Sequence, residues 1–284
     1  MMNFAKRNIM IFFKDRSAVF FSLLSVFIII GLYVLFLGDV WVSSLPGIDN
    51  AKYLMNSWIV AGLLAVTSIT AAMGAFGIMV EDKTKKIAKD FYASPLKRSS
   101  IIGGYLLSSL FIGVIMSIVA LVLGEIYIIA SGGELLPAVV VLKLIGVLMI
   151  TCLANTALVC FMVSFFNSQN AFTTASTIIG TLIGFITGIY LPIGNLPEAV
   201  QLVIKIFPLS HGAALLRQIM MDEPISAAFA NVPSGYIEGF KEAMGVVYRF
   251  GDYTVTPWVS LEVLILTAVI FYMLAMLNIR RKGT

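Results

Sequence analysis

Few side chains in this 284-residue chain have the types and spacing that chemistry requires. There is no Gly-x4-Gly-Lys-Ser/Thr loop to cradle a nucleotide phosphate, no His-Glu-x-x-His pair for a metal, and no Gly-x-Ser-x-Gly turn for a nucleophile. His211 is the single histidine. Cys152 and Cys160 share one apolar run and stand roughly 12 Å apart along a helix, too far to bridge each other, so they read as packing residues. Glu125 and Glu262 are the main carboxylates within apolar runs, and both lie nearer a boundary than a midplane. An ion-coupled carrier needs such groups in the membrane core. Hydroxyls are more plentiful. Thr67, Ser68 and Thr70 sit in one apolar run, and Thr173, Thr174, Ser176, Thr177, Thr181 and Thr187 in another. Such residues serve close helix packing, with Gly180, Gly184 and Gly188 spaced to share one face. Alternatively Thr67, Thr70, Thr173, Thr177 and Thr181 line a mildly polar route for a substrate.

The strongest charge pattern is the island Glu81–Arg98, EDKTKKIAKDFYASPLKR, which holds six of the nineteen Lys and Arg. Ile87 and Phe91 fall at helical spacing with Lys85, Lys86, Lys89 and Asp90 on the other faces, and Pro95 ends the turn. The pattern predicts a short amphipathic helix along the membrane surface, a handle for a soluble partner; the plainer reading is a solvated basic loop that only sets topology.

The elements that must position these residues are membrane spans. With 60% hydrophobic and 12% charged residues, against about a quarter charged in an average soluble chain, the sequence describes an all-α integral membrane protein. Residues 1–16 mix Phe4, Ile9, Phe12 and Phe13 with Lys6, Arg7, Lys14 and Arg16, the pattern of an interfacial helix. Six spans are expected, at about 17–38, 58–80, 101–130, 139–166, 171–190 and 258–279. Thirteen of nineteen cations then fall at the two termini and the island, which puts all three in the cytoplasm. The net charge of +4 comes from these anchors, and no basic domain for nucleic acid exists.

The segment 191–257 is the longest that does not span, and prolines divide it. Val200, Leu202, Val203, Ile206 and Phe207 form an apolar face too short to cross, Pro208 breaks it, and a second short helix runs through Leu215, Leu216 and Ile219. The expectation is a hairpin re-entering the outer leaflet, or else a cap packed above the spans.

In their order along the chain, Asp90-Phe91-x-x-Ser94-Pro95-x-x-Arg98 and the later Pro192, Pro197, Phe207-Pro208-Leu209-Ser210-His211 and Arg217 resemble the ABC-2-type permeases, the membrane subunits of one class of ABC exporters. The likeness covers essentially the whole chain. Where many members carry Gly-Thr about eight residues before the Ser/Thr-Pro, this sequence has Lys86-Ile87, which places it in a variant group.

The resemblance implies a connecting helix at the N-terminus and a cytoplasmic coupling helix seated in a separate ATPase subunit through Lys89, Asp90, Phe91, Ser94, Pro95 and Arg98. It implies an external gate at Pro192, Pro197, Phe207, Pro208, His211 and Arg217. This chain then binds no cofactor of its own, with ATP and Mg on the ATPase. The partners implied are that ATPase, a second permease subunit (a copy or a paralogue) and membrane lipid, in the plasma membrane of a bacterium or archaeon. The narrow apolar spans fit a hydrophobic or amphipathic substrate such as a drug, lipid or antimicrobial peptide. An ion-coupled carrier and a non-transporting scaffold or immunity subunit are the alternatives.

Overall fold

A computed structural model describes residues 1–43, 45, 48, 50–94, 97–230 and 232–281. Helix α1 (Met2–Lys14) is the expected amphipathic start, burying Phe4, Ala5, Asn8 and Phe12. After Asp15, which caps the next helix by accepting from the Ala18 N–H, α2 (Arg16–Leu32) runs through a π-turn (Tyr33–Leu37) into α3 (Gly38–Ser43). Helix α4 (Ala51–Thr84) follows, then the short α5 (Ile87–Ala93), then the long α6 (Arg98–Ala130) and α7 (Ala138–Val163). Helix α8 is Gln169–Ile186, with Ser168 as its N-cap.

Beyond it the chain forms a 3₁₀ turn (Ile193–Asn195), α9 (Glu198–Ile206), α10 (Pro208–Met220), α11 (Asp222–Ala228) and α12 (Ser234–Ala243). A two-residue antiparallel pair, β1 (Arg249–Phe250) with β2 (Tyr253–Thr254), precedes the last helix, α13 (Pro257–Arg281).

Helix α4 is the axis of the molecule. Of the positions in its most apolar window 83% are buried, against 17% in the first span and 22% in the last, so the other helices pack around it. Helices α2, α6, α7, α8 and α10 all touch it. Its hydroxyls cost little there because each returns to the backbone: Thr67 donates to the Leu63 carbonyl, Ser68 to Ala65 and Thr70 to Val66.

Five helices among the described residues are long and apolar enough to cross a membrane, or six if the bent pair α9–α10 counts as one span. The expected fifth span at 171–190 is not among the five. Helix α8 stops at Ile186, the backbone turns through Gly188 at φ +65°, and Tyr190 folds its ring back against Gly184. Gly180, Gly184 and Gly188 therefore do not form one face for a neighbouring helix; among the three only Gly180 stays open.

The expected hairpin is likewise an elbow. Phe207 is extended before Pro208, as a residue preceding proline prefers, and α9 meets α10 at 86°. Helix α9 leaves Val200, Leu202, Val203 and Ile206 exposed, whereas α10 is buried from Leu209 to Arg217 against α4, α7 and α13.

Candidate functional site

Two clusters join distant parts of the chain, one at each end of α4. At the end that carries the charged island, Asp82 is buried and receives a bidentate pair of bonds from Arg7, 2.8 Å from Nη1 and 2.9 Å from Nη2. The Tyr105 hydroxyl donates to the same carboxylate at 2.6 Å. Arg7 also bonds Asn8 Oδ1, and Asn8 Nδ2 donates to Ser108 Oγ. The bond to Asp82 raises the Arg7 pKa above its ordinary value, although partial burial pulls the other way. Phe4 fits where α6 has Gly104, since a Cβ there would lie 2.6 Å from the Phe4 ring. Helix α1 is thus clamped to the ends of both α4 and α6.

Helix α5 is attached to that clamp through Phe91. The Phe91 ring stands edge-on to Phe4 with centroids 5.0 Å apart, and the Arg7 guanidinium lies 5.0 Å above it. Phe91 therefore packs against its own chain and is half-buried there. Lys89, Asp90 and Ala93 are exposed, as are Lys85, Lys86 and Lys97 around them. Ser94 bonds back to the Phe91 carbonyl and closes the helix. Pro95 lies outside the described residues, as does the side chain of Arg98. Lys86, just before α5, adopts φ +63°, the left-handed conformation that glycine accepts most easily.

At the other end of α4, Arg217 of α10 is fully buried, with its guanidinium 4.9 Å from the Trp58 ring centroid. Nη2 donates to the Gly188 carbonyl at 3.1 Å, while Nε and Nη1 have no hydrogen-bond partner among the described residues. Gly188 and Gly245, both at positive φ, let the backbone approach Nη1 so closely that a Cβ would lie 3.5 and 3.1 Å from it. Trp58 Nε1 donates to the Met244 carbonyl at 2.8 Å. One buried cation thus ties α4, the turn after α8, and the segment after α12.

His211 sits six residues, nearly two turns, earlier on α10. Its Nε2 donates to the Lys205 carbonyl at 3.1 Å, which leaves Nδ1 of the neutral ring to accept from the Ser260 hydroxyl at 3.0 Å. It joins α9 to α13.

A sequence profile for the ABC-2 family transporter proteins matches residues 42–277. The chain belongs to this family. Among curated proteins it is similar to nodulation protein J of Rhizobium leguminosarum bv. viciae, with 26% identity over 188 residues, covering 63% of this chain and 67% of that one. The ABC-2 assignment makes the protein a multi-pass membrane transport component.

The hydroxyl residues of this ABC-2 protein divide into two groups. Thr67 is fully buried in the core around α4. Thr70 and Thr173 line one cavity of about 340 Å³ between α2, α4 and α8, together with Phe21, Ser22 and Ser176. Thr173, Thr177 and Thr181 form an exposed stripe on α8, each hydroxyl donating to the carbonyl four residues back. Pro197 and Phe207 lie at the two ends of α9 and Pro208 opens α10, while Pro192 precedes the 3₁₀ turn. Glu125 accepts from the Leu136 N–H at 3.1 Å and so fastens the link between α6 and α7.

Sequence reasoning missed Asp82, Tyr105 and Trp58. They act through partners 75, 23 and 159 positions away, and no spacing rule pairs residues at such separations.

Proposed function

We propose that this protein is the membrane-spanning permease subunit of an ATP-driven exporter, working with a separate ATPase subunit and a second permease chain. The observation that carries the reading is the attachment of α5. Its exposed residues include Lys89 and Asp90, its inner face is held by Phe91 to Phe4 and Arg7, and Arg7 is bonded to Asp82 near the end of α4. A protein seated on α5 therefore pushes on α4 and α6 through a short chain of contacts. ATP and Mg belong to that partner, and Lys89 and Asp90 are the side chains offered to it.

In the six-span topology with both termini cytoplasmic, we take α8 as the fifth crossing, with α9 and α10 outside the count. At 18 residues α8 rises about 27 Å, close to the roughly 30 Å of hydrocarbon. The threonine stripe lowers its apolar character without exposing a free donor, because each of those hydroxyls is satisfied within the helix. The exposed faces of α2 and α8 are then where the second permease chain sits, and the cavity shared by Thr70 and Thr173 borders the route. Its apolar lining fits a hydrophobic or amphipathic substrate. Pro192, Pro197, Phe207, Pro208, His211 and Arg217 form the outer gate, held by the bonds of His211 and Arg217.

The test is charge reversal on the exposed face. Lys89→Glu with Asp90→Arg should abolish co-purification of an ATPase subunit from native membranes while the permease still inserts and melts as wild type. Unchanged recovery of the ATPase and unchanged export would return α5 to a solvated loop. The glutamate that an ion-coupled carrier would use, Glu125, accepts from the Leu136 N–H and so serves the α6–α7 link.

A further inference from the structure

A cavity of about 770 Å³ is separate from the Thr70–Thr173 space. It lies between α7, the α10–α11 junction and α13, at the end of the bundle that carries the α9–α12 segment. Its volume falls within the range of about 300–1,000 Å³ typical of small-molecule sites. Val147, Ile150, Leu215, Ile219 and Leu261 form an apolar wall. The same cavity is lined by Lys143 on one side and by Asp222 and Glu223 on the other, all three exposed. Trp258, 75% exposed in the first turn of α13, stands at the mouth, the level at which tryptophans mark the membrane–water boundary. Lys143 sits about 7 Å along α7 from its start at Ala138, one and a half turns below that boundary.

We propose that this cavity is a lateral site for one membrane phospholipid with a zwitterionic amine head. An acyl chain lies along the apolar wall, the phosphate faces Lys143, and the ammonium group faces Asp222 and Glu223. The charge pattern selects the occupant. A hydrocarbon alone leaves three charged side chains around the mouth without a purpose, and a purely anionic head meets two carboxylates. A head carrying both signs complements both sides. The site opens to lipid on helices other than α2 and α8, so it is not part of the route between subunits and does not depend on the exporter reading.

The experiment is native mass spectrometry of the purified chain after equilibration with phosphatidylethanolamine, phosphatidylglycerol or both. Wild type should retain one phosphatidylethanolamine per chain in preference to phosphatidylglycerol. Gly146→Phe should retain none while melting as wild type, because Gly146 lines the cavity and a Cβ there meets nothing within 4 Å. Lys143→Gln should weaken retention of both lipids by about tenfold, the loss of one charge-assisted contact. Asp222→Asn with Glu223→Gln should remove the preference for the amine head and leave phosphatidylglycerol binding intact. A wild-type chain that retains no lipid or retains the two equally, or a Gly146→Phe chain that keeps its lipid, overturns the proposal.

Discussion

Replacing Arg217 by methionine keeps most of the side chain's length and removes its charge, and the structure sets the size of the effect. The guanidinium gains about 2 kcal/mol from a desolvated aromatic face such as Trp58. One charged bond to the Gly188 carbonyl adds about 1.5–3 kcal/mol. Against this stands a desolvation cost of several kcal/mol for a fully buried ion that, among the described residues, has no carboxylate bonded to it and two nitrogens without partners. The terms nearly cancel. Arg217→Met should therefore change unfolding free energy by less than about 2 kcal/mol, read as a small shift in melting in detergent.

What should change is the outer closure. Thr187 is fully buried beside the Gly188 carbonyl that Arg217 holds, so a cysteine there should be protected from an impermeant thiol reagent in the otherwise wild-type chain. In the Arg217→Met background it should label severalfold faster from outside. Cys152 and Cys160 are fully buried and are replaced first by alanine. Identical labelling with and without Arg217, or loss of the folded chain, would refute the reasoning, the first by removing the latch and the second by making Arg217 part of the core.

Arg7→Leu leaves the buried Asp82 without its bidentate partner and should cost about 3–5 kcal/mol, most of it recovered in the Arg7→Leu, Asp82→Leu double variant; melting curves of the three chains decide this. Lys86→Gly should stabilise the chain by up to about 1 kcal/mol, since relief of roughly 1–2 kcal/mol of left-handed strain exceeds about 0.4–1 kcal/mol of added unfolded-state freedom. A lower melting temperature for Lys86→Gly contradicts this. Thr177→Val should leave export unchanged, whereas Thr177→Trp should block it at normal expression, because Thr177 is exposed on the α8 stripe and its hydroxyl is already bonded within the helix. Full export by Thr177→Trp removes α8 from the route.

Sequence pattern was sufficient wherever the determining forces are local. Apolar length marks α4, α6, α7 and α13 to within a few residues at most of their ends, although α4 begins seven residues before the expected Trp58. Helical spacing of Ile87 and Phe91 marks α5, and the proline after Phe207 marks the elbow. Pattern failed where a side chain's direction depends on a distant partner. Phe91 reads as an anchor for an outside cleft, but Phe4 and Arg7 already occupy its ring face and edge. The glycines of α8 read as a packing face, but the helix ends before Gly188 and Tyr190 covers Gly184. Arg217 falls in a short helix of the segment between the last two spans, where pattern does not announce burial, yet it is as buried as Trp58.

These placements give α4 a role that its own sequence does not display. Asp82, near its island end, is the acceptor for Arg7 and Tyr105; Trp58, near its opposite end, is the face on which Arg217 rests. The two positions are 24 residues apart, about 36 Å of helix, with no proline between them. The stretch between is buried almost throughout, so neighbours hold it straight and a displacement at Asp82 is not absorbed by bending. Under the permease reading, a push on α5 passes to Arg7 through Phe91, to Asp82 through the ion pair, and along α4 to the ring beneath Arg217. The outer closure is then tied to the inner clamp by one rigid helix, and the latch can be weak because its net free energy is near zero. A strongly stabilising pin would hold the outer end shut against any movement that α5 delivers.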